Sequence, residues 1–543
     1  MTTSTVEDAE SKAEGGFQKR LGLFDSTMLV AGSMIGSGIF IVSAEISRDV
    51  GTSGWLLVVW ILTGVITVFG ALSYAELAAM MPHAGGQYVY LREAFGPLWG
   101  FLYGWTLFLV IQTGLIAAVA MAFTKFAGVL WPALGAWYVG AADGFKITAG
   151  QIVAVLFIVV LTGINLLGVR EGKFVQNLFT VAKIAALIVL IVLGLTVAMN
   201  PAVIAGNQVD LWSGISKTAA TAAVPEWGRT LGLASLMVVG GAMVGSLFSA
   251  DAWNNVTFTA GEVRNPSRNL PLSLICGTGL VIGLYILANL AYLAALPVRG
   301  EKDLDATITS LDVALVRSKS VEGGAFEFLG KKMSAEEAQQ ALMQTRNTVL
   351  NSASTLDRGI AYAKDDRVGT AVMELVSPGV GTTLMAVAIM ISTFGCTNGL
   401  ILSGARLYYA MAQDGLFFTQ VGKLSRFGVP AAGLVLQAVW ASLLTFSGTY
   451  SQLLDYIIFA ALLFYVLTVA GLFVLRRTRP DAERPYRALG YPVLPAVYIV
   501  LCTLIMLDLL VVRPLYTWPG LLIVLTGFPV YFLWRKVNPP AAE

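Results

Sequence analysis

Two stretches of a mostly apolar chain carry groups that could do chemistry. The first reads Ala31-Gly32-Ser33-Met34-Ile35-Gly36-Ser37-Gly38-Ile39-Phe40, and the second Gly240-Gly241-Ala242-Met243-Val244-Gly245-Ser246-Leu247-Phe248-Ser249-Ala250-Asp251-Ala252-Trp253-Asn254-Asn255. A helix interrupted in an apolar medium exposes amides and carbonyls that a ligand can satisfy. Half-helix amino ends attract a carboxylate, and carboxyl ends attract an ammonium. The pair therefore reads as a receptor for an amino acid zwitterion. Gly36, Ser37 and Gly38 would offer N–H groups to the carboxylate; carbonyls near Ile35 and around Phe248 to Asp251 would take the ammonium. The competing reading is close helix packing through small residues. Gly32 and Gly36 alone fit that reading, whereas the cluster with Ser37-Gly38 and the second stretch favour the receptor.

Two charges share these surroundings. Lys183 lies within an apolar run, where a lysine is costly and marks a functional position by default; the alternative is snorkelling to the nearby interface. Asp251 would meet the substrate ammonium or carry a coupled proton, or it would cap a half-helix from Ala252 onward. Glu76, Asp455 and Asp508 read as structural, and Arg264 and Arg268 as gate or topology charges. Cys276, Cys396 and Cys502 stand in apolar runs, where a thiol behaves as a small hydrophobe. Neither they nor His83, the one histidine, suggest a disulfide framework or a metal site. The sequence shows no buried nucleophile–base pair and no phosphate-binding glycine loop followed by lysine. An enzyme is not expected, no cofactor or metal is expected, and ATP-driven pumping would need a partner chain.

The elements that must position these groups follow from composition. Of 543 residues 56% are apolar and 13% charged, with a mean hydropathy of +0.74, whereas soluble domains carry about a quarter charged residues. A net charge of +2 leaves no basic surface for nucleic acid. A helix needs roughly 20 apolar residues to cross a bilayer. About twelve such runs occur, centred in 25–46, 55–80, 99–123, 150–169, 175–198, 231–258, 272–297, 379–404, 430–448, 452–475, 491–512 and 516–534. The expected class is an all-α polytopic membrane protein in contact with the lipid bilayer. Its two breaks fall five spans apart, as in carriers made of inverted five-helix repeats with a site near the midplane.

Basic residues in short loops stay cytoplasmic. With the amino terminus inside and no cleaved leader, 19 of 35 fall in cytoplasmic segments, Arg406 among them, six in short outer loops and ten in one long loop. Both termini are therefore expected in the cytoplasm and the protein in the plasma (inner) membrane. The chain divides into a tail at 1–20, spans 1 to 7 at 21–298, an outer insertion at 299–370, spans 8 to 10 at 371–475, and a final segment at 476–543. The insertion carries 21 of the 68 charged residues. It reads as a solvated helical elaboration, with Ser334 and Glu337 fitting a capping box ahead of a helix over 335–350.

These motifs, in order, resemble the amino acid-polyamine-organocation superfamily, and within it the L-type amino acid transporters and bacterial exchangers. Besides the first-helix glycine segment, the similarity rests on Tyr74-Ala75-Glu76-Leu77, Ala94-Phe95-Gly96-Pro97 and Trp105-Thr106. It continues through Val175-Gln176-Asn177 with Lys183, Trp253-Asn254-Asn255, Asn265-Pro266, Arg268-Asn269-Leu270-Pro271, Asn398-Gly399, Arg406-Leu407 and Arg484-Pro485-Tyr486. The resemblance implies a LeuT-like fold, five plus five inverted helices with two added, and amino acid transport by alternating access. It implies that Ser33, Gly36, Ser37 and Gly38 bind the carboxylate and that Phe248 closes over the substrate. Carbonyls of Phe248, Ser249 and Asp251 would meet the amino group. It further implies that Lys183 stands where sodium sits in sodium-coupled relatives, bridging the first and eighth helices with Ser392 or a nearby carbonyl as partner, so that transport needs no sodium.

The sequence departs from that pattern at Ala250 and Ala252, where the family has Gly or Tyr, and at Ala461 and Leu462, where it often has Asn-Trp. The outer loop at 124–149 has no cysteine for a disulfide-linked heavy chain, so a stand-alone carrier is expected. The leading function is secondary transport of neutral L-amino acids, by exchange or with protons. A carrier of cationic amino acids or polyamines is the alternative, and a non-transporting amino acid sensor comes from a different class.

Overall fold

The computed structural model describes residues 17–140, 146–215, 224–319, 326–328, 331–446 and 450–537. Among these, nine helices are long and apolar enough to cross a membrane. They are α3 (Ser53–Met80), α5 and α6 (Pro97–Thr106 and Gln112–Leu130, one continuous rod), α7 (Ala149–Leu166), α8 (Val169–Thr196), α12 (Pro266–Ala295), α16 (Val380–Gln413), α18 (Tyr450–Thr478), α19 (Val493–Val512) and α20 (Pro514–Val537). Two shorter apolar helices, α10 (Ala234–Ser249) and α17 (Ala431–Leu444), supply the sixth and ninth passes. The first pass is split into α1 (Leu23–Met34) and α2 (Val42–Val50). The protein is an all-α polytopic membrane protein.

The broken passes lie inside the bundle. The whole stretch from Met28 to Ile39 is buried, whereas Leu156, Val159 and Val160 of α7 and Leu522, Leu525 and Leu533 of α20 are exposed at the lipid-facing periphery. Helix α8 is turned inside out. Its buried face carries Gln176, Thr180, Lys183, Leu187 and Leu190 at three- and four-residue spacing, and Leu178, Val181, Ile188 and Val192 look outward. That periodicity is a helical stripe, polar toward the protein because the medium outside is hydrocarbon.

The connections are more structured than composition suggested. Short helices α4 (Gln87–Phe95) and α9 (Pro201–Val209) follow the second and fifth passes, and small hairpins pair Tyr138–Gly140 with Lys146–Thr148 and Phe326–Phe328 with Lys331–Met333. In the insertion, α13 (Lys302–Lys319) packs on α14 (Ala335–Ser352) around Leu304, Ile308, Leu311 and Leu342. Ser334 and Glu337 make the reciprocal capping bonds at 3.2 and 2.9 Å. A further helix, α15 (Val368–Val376), leads into α16. Asp366 accepts from Arg48 at the end of α2 at 2.7 Å and lies 3.9 Å from Lys125 of α6, so the insertion is tied to the ends of the first and third passes.

One expectation about charges is corrected. Arg406, counted with the cytoplasmic charges, is 1% exposed and paired with the equally buried Glu262 at 3.0 Å. Glu76 is fully buried, yet it has a structural role: it accepts from Arg476 at 2.6 and 2.9 Å, from the Ala488 amide at 2.6 Å, and lies 3.3 Å from Arg484, joining α3 to α18 and the loop beyond. The Asp455 side chain lies outside the described residues.

Candidate substrate site

Helix α1 ends because Ile35 turns extended, and regular helix resumes only at Val42 after a single tight turn over Gly38–Phe40. The break frees the last carbonyls of α1, and side chains from three other passes claim them. Lys183 Nζ donates to the Gly32 carbonyl, to that of Ile35 at 2.7 Å and to that of Ser392 at 3.4 Å. Cys396 donates to the Ser33 carbonyl at 3.0 Å. The Tyr285 hydroxyl lies 3.1 Å from the Met34 carbonyl and 3.0 Å from that of Ser249. Ser392 Oγ reaches the carbonyls of Ile35 and Gly36 at 3.2 and 3.0 Å. A cation at a helix carboxyl end is favoured by the helix dipole, and three carbonyls satisfy the three ammonium donors. Lys183 is 0% exposed; it does not snorkel.

With the carbonyls from Gly32 to Gly36 occupied, the N–H groups of Gly36 and Gly38 have no acceptor among the described residues. These glycines line a small closed cavity with Ser33, Ser37, Phe248, Ser249 and Asp251, floored by Cys396. Its volume of about 10 Å³ fits one water rather than an amino acid, so the two broken passes must part to admit a substrate. They already touch tightly, at Gly245 against Val42 and at Gly38 against Ser249. A Cβ on Gly38 would overlap the Ser249 hydroxyl and come within 3.0 Å of the Ser249 Cα. Gly32 is small for a packing reason, because a Cβ there would run into Gln176 and Thr180.

The site differs from expectation in three ways. Ile35 does not line the cavity, and its carbonyl is held by Lys183 and Ser392, so it is not open to an ammonium. The carbonyls of Phe248 and Ser249 each already accept one bond, from the Asp251 amide at 3.2 Å and from Tyr285. Asp251 does not cap a half-helix from Ala252. Ala252 has a left-handed backbone, and helix resumes only in α11 (Asn255–Phe258), with Asn254 at its amino end.

Asp251 instead sits where three small chambers meet. Its Oδ1 accepts from the Tyr465 hydroxyl at 2.5 Å, and its Oδ2 has no partner although buried. From there a polar chain runs through Tyr465 and Asn254 (3.2 Å), Asn254 and Gln87 (2.8 Å), and Gln87 and Thr468 (3.0 Å). The chamber beside Tyr465 is lined by Ala461, Tyr103 and Gln112. Next to it the third pass opens into a wider turn over Leu107–Ile111, a distortion common at functional sites.

Sequence reasoning missed Tyr285, Tyr465 and Cys396. Tyr285 had a readable signal, since Tyr285, Asn289 and Tyr292 form one polar stripe in an apolar helix and all three are buried. Tyr465 lies four residues, one helical turn, from Ala461.

A bundle of passes with two broken helices meeting at an internal polar cavity defines a membrane carrier. The chain belongs to the amino acid permease family, whose model matches residues 21–326 and 348–531; the intervening gap falls inside the insertion. It is 28% identical over 537 residues to the human b(0,+)-type amino acid transporter 1, covering 98% of this chain and 90% of that one. It is 27% identical over 536 residues to the mouse large neutral amino acids transporter small subunit 2, covering 98% and 84%. As a permease it is not an enzyme.

Proposed function

We propose that the protein is a secondary carrier of neutral L-amino acids that works by alternating access without sodium, as an exchanger or with protons. The observation that carries this reading is the division of labour at the first break. Side chains hold the carbonyls from Gly32 to Gly36, and free amides at Gly36 and Gly38 face the cavity beside Asp251. Free N–H groups on one side and a partnerless carboxylate oxygen on the other suit a carboxylate and an ammonium. Lys183, bonded to both the first and the eighth pass, fills the role of a bound cation, with Ser392 as its partner. Phe248 closes the cavity from the second break. The protein sits in the plasma membrane with both termini cytoplasmic and acts without a disulfide-linked heavy chain, which the lack of cysteine in 124–149 supports.

Counterflow of radiolabelled leucine into proteoliposomes, at two pH values and with or without sodium, tests the proposal. Sodium-independent counterflow is expected. Uptake that requires sodium would overturn the cation role of Lys183, and no counterflow with retained binding would make the protein a sensor.

A second reading, transport of cationic amino acids, has support from the unpartnered Asp251 Oδ2 and the b(0,+)-type relatives. Lysine counterflow exceeding that of leucine, and lost in Asp251→Asn, would favour it.

A further inference from the structure

A cavity of about 330 Å³ opens beneath the insertion, between its last turn, α15 and the start of α16. Its charged lining is unbalanced. Arg358, Lys364 and Arg367 face it, and the one acidic liner is Glu374. Glu374 is already engaged, since its Oε2 accepts from the Gly379 amide at 3.0 Å and from the Thr382 hydroxyl. Asp365 pairs with Arg367 at 2.6 Å, and Asp366 is committed to Arg48 and Lys125. Arg358 and Lys364 have no ion-pair partner among the described residues. The Arg358 Nε is closed off from solvent and donates to nothing there. A buried, unused guanidinium donor is costly, and an oxyanion is the group that arginine's fork satisfies best.

We propose that this cavity is an oxyanion site that takes a phosphate-type group, with Arg358 and Lys364 as its main ligands and Arg367 at its edge. The membrane side of the same corner favours a lipid headgroup as the source. Val380 and Leu384, at the first turns of α16, are each 62% exposed, so apolar surface for acyl chains lies on the same helix end that gives Thr382 to the cavity.

The site is testable on the purified full chain in neutral detergent by its melting temperature. Phosphatidylglycerol in mixed detergent micelles is titrated in one arm and inorganic phosphate in the other, against chloride at equal ionic strength. Charge-assisted hydrogen bonds to an oxyanion are among the stronger ones in proteins. The half-saturating concentration should therefore rise at least about tenfold in Arg358→Gln/Lys364→Gln. Arg358→Lys should keep part of the response, and Arg426→Gln, far away beside Phe427, all of it. Stabilisation by the lipid alone assigns the site to a headgroup, and stabilisation by both to oxyanions generally. The proposal is overturned if neither arm stabilises the wild type, or if the double variant responds like it. If the double variant does not fold, Arg358→Lys decides: an unchanged half-saturation overturns the site and a weakened one supports it.

Discussion

Lys183 Nζ of α8 donates to the Ile35 carbonyl of α1 at 2.7 Å, and Ser392 Oγ of α16 reaches the same oxygen at 3.2 Å. One carbonyl released by the break in the first pass thus joins the fifth and eighth passes. The broken backbone keeps its geometry because its acceptors are saturated by side chains.

Replacing Lys183 with Met keeps the bulk and removes the donors. The buried Gly32 carbonyl loses its ammonium, at about 1–3 kcal/mol for the unsatisfied group, while that of Ile35 keeps only Ser392. Leucine counterflow should drop at least about tenfold, and the melting temperature should fall with it. Wild-type counterflow in this variant would disprove the role given to Lys183.

Gly38→Ala should abolish counterflow, because its methyl group collides with Ser249 across the contact of the two breaks. The overlap is chiefly with the Ser249 side chain, so Gly38→Ala/Ser249→Gly should recover a measurable part. A double variant as inactive as the single one would show that the close approach to the Ser249 backbone, not to its side chain, excludes the methyl group.

Asp366 fastens the insertion to α2 and α6. Burial pushes its carboxyl up, but Arg48 and Lys125 outweigh this and hold it below the usual carboxylate range. A depressed carboxylate stabilises the strap above its ordinary pKa and loses that contribution as pH falls through the lowered one. Cys396, 3% exposed on the cavity floor, reports opening. With the exposed Cys276 replaced by Ser, a water-soluble maleimide should label Cys396 several-fold faster in Asp366→Asn. As the pH falls through the lowered pKa, the melting temperature of the wild type should approach that of Asp366→Asn. Equal rates in the two proteins at neutral pH would dismiss the strap.

Glu262 and Arg406 form an ion pair with both side chains 1% exposed. Breaking a buried pair costs about 3–5 kcal/mol, whereas replacing both partners with apolar groups is often close to neutral. Arg406→Met should therefore lower the melting temperature strongly, and Arg406→Met/Glu262→Met much less. Additive losses would mean that each residue acts through other contacts.

The class of the fold was legible in the chain. Twelve apolar runs leave few alternatives, because backbone in lipid must satisfy its own hydrogen bonds, and the glycine clusters at 32–38 and 240–245 marked the two passes that break. Lys183 was also legible, since a lysine in an apolar run needs a partner and lies on one stripe with Gln176 and Thr180. The capping box at Ser334 is local chemistry, and local chemistry is written in sequence.

What each freed backbone group bonds to was decided only by tertiary structure. Sequence assigned the Ile35 carbonyl to a ligand, and the fold gives it to Lys183 and Ser392, which lie 148 and 357 residues away in the chain. Asp251 looked like a cap because aspartate precedes helices. The backbone stays unwound to Asn254, and the carboxylate turns to Tyr465 on a pass 214 residues later. Arg406 looked like a surface charge until Glu262 met it in the interior. Residue type and periodicity determine which groups must find partners, and packing of distant passes decides which partners they find.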